Sequence, residues 1–407
     1  MKTLINNIGR LVTPAADRFA AGETLGRLDI KENVSLLIED GLIKKIMDGG
    51  CVSADEVIDA KGQVVMPALV DPHTHIPFAG TRENEFNMRI KGKSYMEIAA
   101  AGGGINSTVR ATRAASEDEL FEVSKKHLDI IARHGTGTIE MKSGYGLDTE
   151  TELKQLRVIK RLKESSPLDI RATFMGAHEI PPEYKGNKEG YINLLIEEML
   201  PAVKEQGIAE YCDIFCEKEV FEIEDTRRIM TRAKELGFRL RMHADEIVPL
   251  GGAELAADLH AVSADHLMCI SGEGIERMVQ AGTVFTMLPG TTFFLMSDSY
   301  APAKKIIDAG GIIALSTDFN PGSSFTHSMQ FIINLACLKM GLSVDQAVCA
   351  ATINGAYALE MSDKTGSIHA GKQADLMFLD APGYEYLVYN FAVNRVSAVM
   401  KRGRFVF

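Results

Sequence analysis

The sequence predicts a (β/α)8 barrel of the TIM type, with a small β-sandwich built from both chain termini. Three observations predict it. Eight short apolar or β-branched runs alternate with helix-like segments through the middle of the chain. Continuous apolar strands separated by helices belong to a parallel sheet covered on both faces. The two ends have a different texture, with short strands and tight turns. At 407 residues the chain has room for one large barrel and an appendage.

At the N-terminal end, Leu36-Leu37-Ile38 and Leu42-Ile43-Lys44-Lys45-Ile46 flank Glu39-Asp40-Gly41, and Asp-Gly between apolar runs signals a hairpin. Glu56–Asp59 and Val64-Val65 continue the strand pattern, and Asp375–Leu379 and Val396–Met400 repeat it near the C-terminus. Neither end alone supplies a stable core, so the two are expected to pair. The predicted units are residues 1–65 plus 366–407 for the sandwich and 66–365 for the barrel. The eight barrel strands are placed at Val64–Val70, Thr136–Met141, Ile170–Met175, Tyr211–Phe215, Phe238–Met242, Ala261–Ala264, Thr283–Leu288 and Ile312–Ser316. After the second, Thr149 and Glu152 have the spacing of a capping box, and Leu153, Leu156, Ile159 and Leu162 follow near helical period. A doubly wound open sheet is the alternative. It calls for a G-x-G-x-x-G turn after the first strand, and none is there; Gly102-Gly103-Gly104 follows a helix-like run and is expected to be a loop.

Composition excludes several classes of function. Hydrophobic residues at 46% and charged residues at 24% exclude a mainly disordered chain. A formal net charge of −11 argues against nucleic acid or anionic lipid as the main partner. No run of about 18 apolar residues suggests a membrane span, and the first residues lack the pattern of a secretory signal. A cytoplasmic location is expected. The six cysteines are expected to be reduced thiols; Cys212 and Cys216 have no second cysteine pair with which to form a zinc knuckle.

In such a barrel the chemistry sits at the C-terminal ends of the strands. The first strand ends Asp71-Pro72-His73-Thr74-His75, and histidines at i and i+2 share a face. The fifth ends Met242-His243-Ala244-Asp245-Glu246, the sixth Ala264-Asp265-His266, and the eighth Ser316-Thr317-Asp318-Phe319-Asn320. Of ten histidines, four (73, 75, 243 and 266) stand at strand ends and His178 follows the third strand, which scattering does not predict. His127, His134, His260, His327 and His369 lie in helix or loop texture and are expected to be solvated or capped. Three imidazoles and a carboxylate suit zinc or ferrous iron with a position left open. Such an ion lowers the pKa of its water towards about 7, and Asp318 is the candidate to ligate, orient the water and take its proton. Structural zinc prefers four closed ligands clustered in sequence, whereas these run from residue 73 to 318.

The run Val65–His75, the histidines ending strands five and six, Ser316-Thr317-Asp318 and the tail Lys364–Ile368 followed by Gly371–Leu376 resemble the metal-dependent amidohydrolase superfamily. Five further segments narrow the resemblance: Phe78–Glu83, Gly102–Ile105, Glu140–Gly146, Gly176–Pro182 and Asp318–Ser323. They are similar to the branch that opens an imidazolone ring in histidine degradation. The resemblance covers essentially the whole chain. It implies that His73, His75, His243 and Asp318 hold one zinc or iron ion. Two-metal members carry a modified lysine at the end of strand four, where this chain reads Cys212–Cys216 with no lysine before Lys218, which favours one metal.

The resemblance also implies that Arg82 binds the propionate of 4-imidazolone-5-propanoate, and a guanidinium matches a carboxylate bidentately. His178 and Glu246 would contact the ring. Tyr145 in a glycine-flanked turn, and Asn320, Gly322 and Ser323 after strand eight, would contact substrate or product; Tyr95 is a weaker candidate. Water would open the ring at its amide C–N bond to give N-formimidoyl-L-glutamate, with Asp318, His266 and Glu246 sharing the acid–base work in an order the sequence leaves open. A homodimer is the expected assembly. Two alternatives are carried forward: a deaminase or other cyclic-amide hydrolase on the same barrel, which would not need Arg82, and a catalytically silent scaffold, which would have lost its ligands.

Overall fold

A computed structural model describes residues 1–48, 52–93, 97 and 103–407. It contains two eight-stranded sheets. The chain begins with β1 (Lys2–Pro14), β2 (Leu28–Glu39), β3 (Leu42–Met47), β4 (Glu56–Asp59) and β5 (Val64–Pro67). The barrel strands follow: β6 (Leu69–Asp71), β7 (Thr136–Lys142), β8 (Asp169–Ala177), β9 (Tyr211–Cys216), β10 (Arg239–Ala244), β11 (Ser263–His266), β12 (Val284–Met287) and β13 (Ile313–Leu315). The chain ends with β14 (Leu376–Leu379), β15 (Val396–Lys401) and β16 (Arg404–Phe405).

Strands from both termini form one mixed sheet in the order β16-β15-β14-β5-β1-β2-β3, with β4 on β1. The β2–β3 turn is the predicted hairpin. Asp40 and Gly41 both take positive φ (50° and 79°), as a two-residue turn between right-twisted strands requires. The sheet serves two cores. Val12, Val64, Met66 and Met377 pack with Leu69, Leu128 and Ile131 of the barrel, while Ile5, Ile8, Leu36, Val65, Phe378 and Met400 form a separate cluster. Lys401 ties the sheet to the barrel, with Nζ 2.9 Å from Asp169 and 2.6 Å from Asp375.

The second sheet runs β6 to β13 in sequence order, every neighbouring pair parallel. Between β6 and β13 the circle closes just past the strand ends. His73 accepts from the Asp318 N–H at 3.1 Å, Phe319 accepts from the His75 N–H at 3.0 Å, and Thr74 bridges Phe319. Asp71 reinforces the seam, accepting from the Thr317 N–H at 3.0 Å, the Thr317 hydroxyl at 2.6 Å and the Ser316 hydroxyl.

Two local expectations are corrected. The run Val64–Val70 is not one strand. Its first half pairs with β1 and β14, its second half with β7, and the chain changes sheets at Ala68, whose N–H bonds to Asp375. Both halves are buried on both faces, so hydropathy carries no mark of the crossover. The helix Thr149–Ser165 is capped by Asp148, which accepts from the Thr151 N–H, and not by Thr149. Glu152 turns inward instead, and its Oε1 accepts from the N–H groups of Gly144 (3.2 Å), Gly146 (2.8 Å) and Leu147 (2.9 Å). Gly103 and Gly104 lie in neither strand nor helix, as the loop expectation has it, and Gly104 at φ 82° is the N-cap of the helix Ile105–Ala114; Gly102 lies outside the described residues. Cys212, Cys216, Cys269, Cys337 and Cys349 are free thiols. Among the described residues no helix is long and apolar enough to cross a membrane.

Candidate active site

The strand ends bring His73, His75, His243 and Asp318 to one point. His75 Nε2 lies 3.3 Å from His73 Nε2, 3.4 Å from His243 Nε2 and 3.1 Å from Asp318 Oδ1, and Asp318 Oδ1 is 3.5 Å from His73 Nε2. Ligands about 2.1 Å from a shared ion in a tetrahedral array stand about 3.4 Å apart, so these separations fit a metal. The burial agrees. All four side chains are almost fully enclosed, and Asp318 Oδ1 has no hydrogen-bond partner among the described residues. A buried carboxylate oxygen left in that state is costly unless a cation meets it.

A layer of buried charge holds the imidazoles in place. Asp265 Oδ2 sits 2.6 Å from His73 Nδ1, and Asp213 Oδ1 sits 3.2 Å from His243 Nδ1, so in each case the ring presents Nε2 to the cluster. Lys142 Nζ is 2.6 Å from Glu140 and 2.8 Å from Asp213. Arg241, fully buried, donates to the carbonyls of Pro72 (2.8 Å) and Ala358 (2.9 Å) and lies 3.6 Å from both Glu140 and Asp265. By formal charge, Lys142 and Arg241 offset two of the four carboxylates of this layer and the cluster, Glu140, Asp213, Asp265 and Asp318. Two negative charges remain, which a dication neutralises. Burial alone would raise Asp213, but Lys142 and His243 hold it well below the usual carboxylate range. Burial and the neighbouring cations push His73 and His75 well down, which keeps them neutral as ligands must be.

A cavity of about 290 Å³ opens over the cluster. Arg82, Tyr145, His178, Glu246, His266, Asn320, Gly322 and Ser323 all line it, so the structure brings together every substrate-site residue expected from the sequence except Tyr95, which lies outside the described residues. Tyr145 rides on the turn that Glu152 and Gln155 organise, with Gln155 accepting from its N–H at 3.3 Å. His178 stacks on His75 (ring centroids 5.0 Å apart) and is fixed by a 2.9 Å contact from Nδ1 to the Gly144 carbonyl. Gly144 is needed there. Its φ is 117°, and a Cβ would stand 3.1 Å from His178 Nδ1. Burial and then the Asp318 charge push Glu246 up to about 8, and its Oε2 lies 3.6 Å from His266 Nε2. Burial pushes His266 down to about 3. His266 and Asp318 hold positive φ (75° and 52°), the kind of local strain that collects at functional sites.

Asn320 is committed to its own loop. Its Oδ1 accepts from the N–H groups of Gly322 and Ser323, both at 2.8 Å, and its Nδ2 donates to the Asp318 carbonyl at 2.7 Å. The expectation for His127 and His327 is corrected. They are neither solvated nor capped but contact each other at 2.9 Å, Nδ1 to Nε2, packed against Phe78, Phe319 and Phe325. His134 is capped as expected, by the Ile130 carbonyl. Sequence reasoning gave no role to Asp71, Glu140, Lys142, Asp213, Arg241, Asp265 or the cavity residues Arg89 and Phe215. The available signal was charge inside otherwise apolar strands, as in Thr136–Lys142 and Tyr211–Cys216.

Fold and site together define a barrel hydrolase of the amidohydrolase kind. A family model described as "Amidohydrolase family" matches residues 64–406. Solved structures agree on the fold: a 5-methylcytosine deaminase from Klebsiella pneumoniae aligns with TM-score 0.73 at 18% identity over 100% of this chain and 97% of that one. A guanine deaminase from C. acetobutylicum aligns with TM-score 0.71 at 14% identity over the whole of both chains. Sequence relatives are much nearer. Imidazolonepropionase of Treponema denticola is 52% identical over 91% of each chain, and that of Clostridium tetani is 47% identical over 99% of this chain and 98% of its own. The chain belongs to the amidohydrolase family, in its imidazolonepropionase branch.

Proposed function

We propose that this chain hydrolyses 4-imidazolone-5-propanoate to N-formimidoyl-L-glutamate, a step of histidine degradation. The observation that carries the reading is a His3Asp cluster whose His75, His243 and Asp318 line the same cavity of about 290 Å³ as the Arg82 guanidinium. That is the equipment for cutting a cyclic amide that bears an acid tail. The imidazolonepropionase names of relatives at 47–52% identity support the same substrate.

His73, His75, His243 and Asp318 would hold one zinc or ferrous ion, since the donor set suits both. When bound, such an ion supplies Lewis acidity and draws the pKa of water towards about 7. The protein supplies the rest. Arg82 takes the propionate, and His178 with Tyr145 lines the wall against the ring. Asp318 accepts the proton of the attacking water. Its oxygen adds to the ring carbonyl carbon, and His266, neutral at working pH, donates to the oxygen that gains charge. The amide C–N bond then breaks, and the leaving nitrogen takes a proton from Glu246, whose carboxyl is pushed up by burial. Asn320 shapes the loop that presents Gly322 and Ser323. The barrel, expected to begin at residue 66 but entered at Ala68 and running to about residue 365, is the catalytic unit, and the sheet built from both termini accompanies it. The working state is a homodimer in the cytoplasm; light scattering of the purified protein checks the dimer, and cell fractionation the location.

The test is turnover by protein of known metal content, offered 4-imidazolone-5-propanoate in one arm and cytosine or guanine in the other. Product from the imidazolone with no ammonia from the bases supports the proposal. Ammonia release alone makes the chain a deaminase.

A further inference from the structure

The cavity contains a second guanidinium. Arg82 precedes the helix Glu83–Ile90 and Arg89 lies near its end. Seven residues are close to two helical turns, so both side chains leave the same face. Both pack on Gly322. A Cβ on that glycine would stand 2.2 Å from Arg82 Nη1, and Arg89 Nη2 donates to its carbonyl at 3.4 Å. Arg82 Nε bonds Glu85 Oε2 at 2.9 Å, and Glu85 is held in turn by the Ser107 hydroxyl at 3.1 Å. Among the described residues Arg89 has no such carboxylate bond. Its guanidinium lies 5.9 Å from the Phe294 ring centroid, and its Nη1 is buried with no hydrogen-bond partner among the described residues.

Two cations and one carboxylate leave a positive charge at this place, and a buried N–H donor without an acceptor costs free energy. Burial and the nearby Arg82 disfavour the charged form of Arg89, and the charge of Glu85 offsets only part of this. A carboxylate accepts at two oxygens through about four lone-pair sites, so one acid group can engage both guanidiniums.

We propose that Arg89 is a second carboxylate-binding residue, acting with Arg82 as a two-guanidinium clamp that selects substrates with an acid tail. The proposal rests on the reading of the substrate as a propionate-bearing ring. The clamp also rejects neutral rings, because closing the pocket on one desolvates two guanidiniums and supplies no anion.

The experiment is calorimetric titration of the metal-loaded enzyme with imidazole-4-propanoate and with 4-propylimidazole, which has a similar shape but no carboxylate. Arg89→Met weakens imidazole-4-propanoate by about 10- to 100-fold, the worth of a hydrogen bond to a charged group, and leaves 4-propylimidazole unchanged. Arg89→Lys, which keeps the charge but not the fork, recovers part of the loss. With the imidazolone as substrate, KM rises and kcat changes less. Equal weakening of both probes by Arg89→Met, or weakening of neither, overturns the proposal. If the wild-type enzyme fails to open the imidazolone yet discriminates the probes through Arg89, the substrate is misidentified and the clamp stands.

Discussion

Asp265→Asn tests the charge layer beneath the cluster. Asp265 is fully buried, 2.6 Å from His73 Nδ1 and 3.6 Å from Arg241. Asparagine has nearly the same shape and keeps an oxygen for the imidazole N–H, so the fold and the ring orientation survive. What changes is charge. The excess of two negative charges around the cluster falls to one, and His73 becomes a poorer donor. Loss of such a partner costs about 10- to 100-fold in metal affinity, or about 1.4–2.7 kcal/mol. The assay is competition with a chromophoric chelator, run beside activity as a function of free zinc. The expected result is a shift of both curves to higher metal, with turnover per bound ion close to wild type at saturation. An unshifted metal curve, or activity that saturating metal does not restore, would refute the argument.

Gly322→Ala places a methyl where Arg82 Nη1 now lies. Displacing that guanidinium raises KM for the acid substrate by about tenfold or more, and steady-state kinetics against the wild type check it. In metal-stripped protein Glu246 titrates near 8 against its usual 4.5. The folded state therefore holds a proton that the unfolded state has lost, so this group's contribution to stability is full below 4.5 and disappears as pH rises through about 8. Denaturation across that range, with Glu246→Gln removing the dependence, measures it. Glu152→Ala leaves the three N–H groups of the Tyr145 turn without their acceptor. A loss of about 2–4 kcal/mol in stability is expected, read by urea denaturation, with a milder loss for Glu152→Gln.

The barrel was legible because its strands are buried on both faces and separated by helices, and the cluster was legible because histidines stand at strand ends where few residues can. The same uniform burial hid the change of sheets at Ala68, since Val64–Pro67 and Leu69–Asp71 read as one run. Thr149 and Glu152 have the spacing of a capping box, but Asp148 competes for the cap, and the turn at Gly144–Leu147 recruits Glu152 from outside the helix. Arg241, Asp213 and Asp265 escaped because each finds its partners on other strands, and Lys142 because its contact with Asp213 adds a partner from another strand to its neighbour Glu140; residues far apart in sequence give no local pattern. Arg89 stands seven residues after Arg82, a spacing with no meaning until the fold shows that both side chains close on Gly322.

The central claim is that water opens the ring at its amide C–N bond in the cavity above the His3Asp cluster. Turnover of 4-imidazolone-5-propanoate in H2-18O, with the product fragmented in a mass spectrometer, tests it most directly. The expected product is N-formimidoyl-glutamate carrying one 18O in the carboxylate formed from the ring carbonyl, with Asp318→Asn inactive. Label in a formyl group, which marks attack at the amidine carbon, or no product from the metal-loaded wild-type enzyme, would contradict the claim.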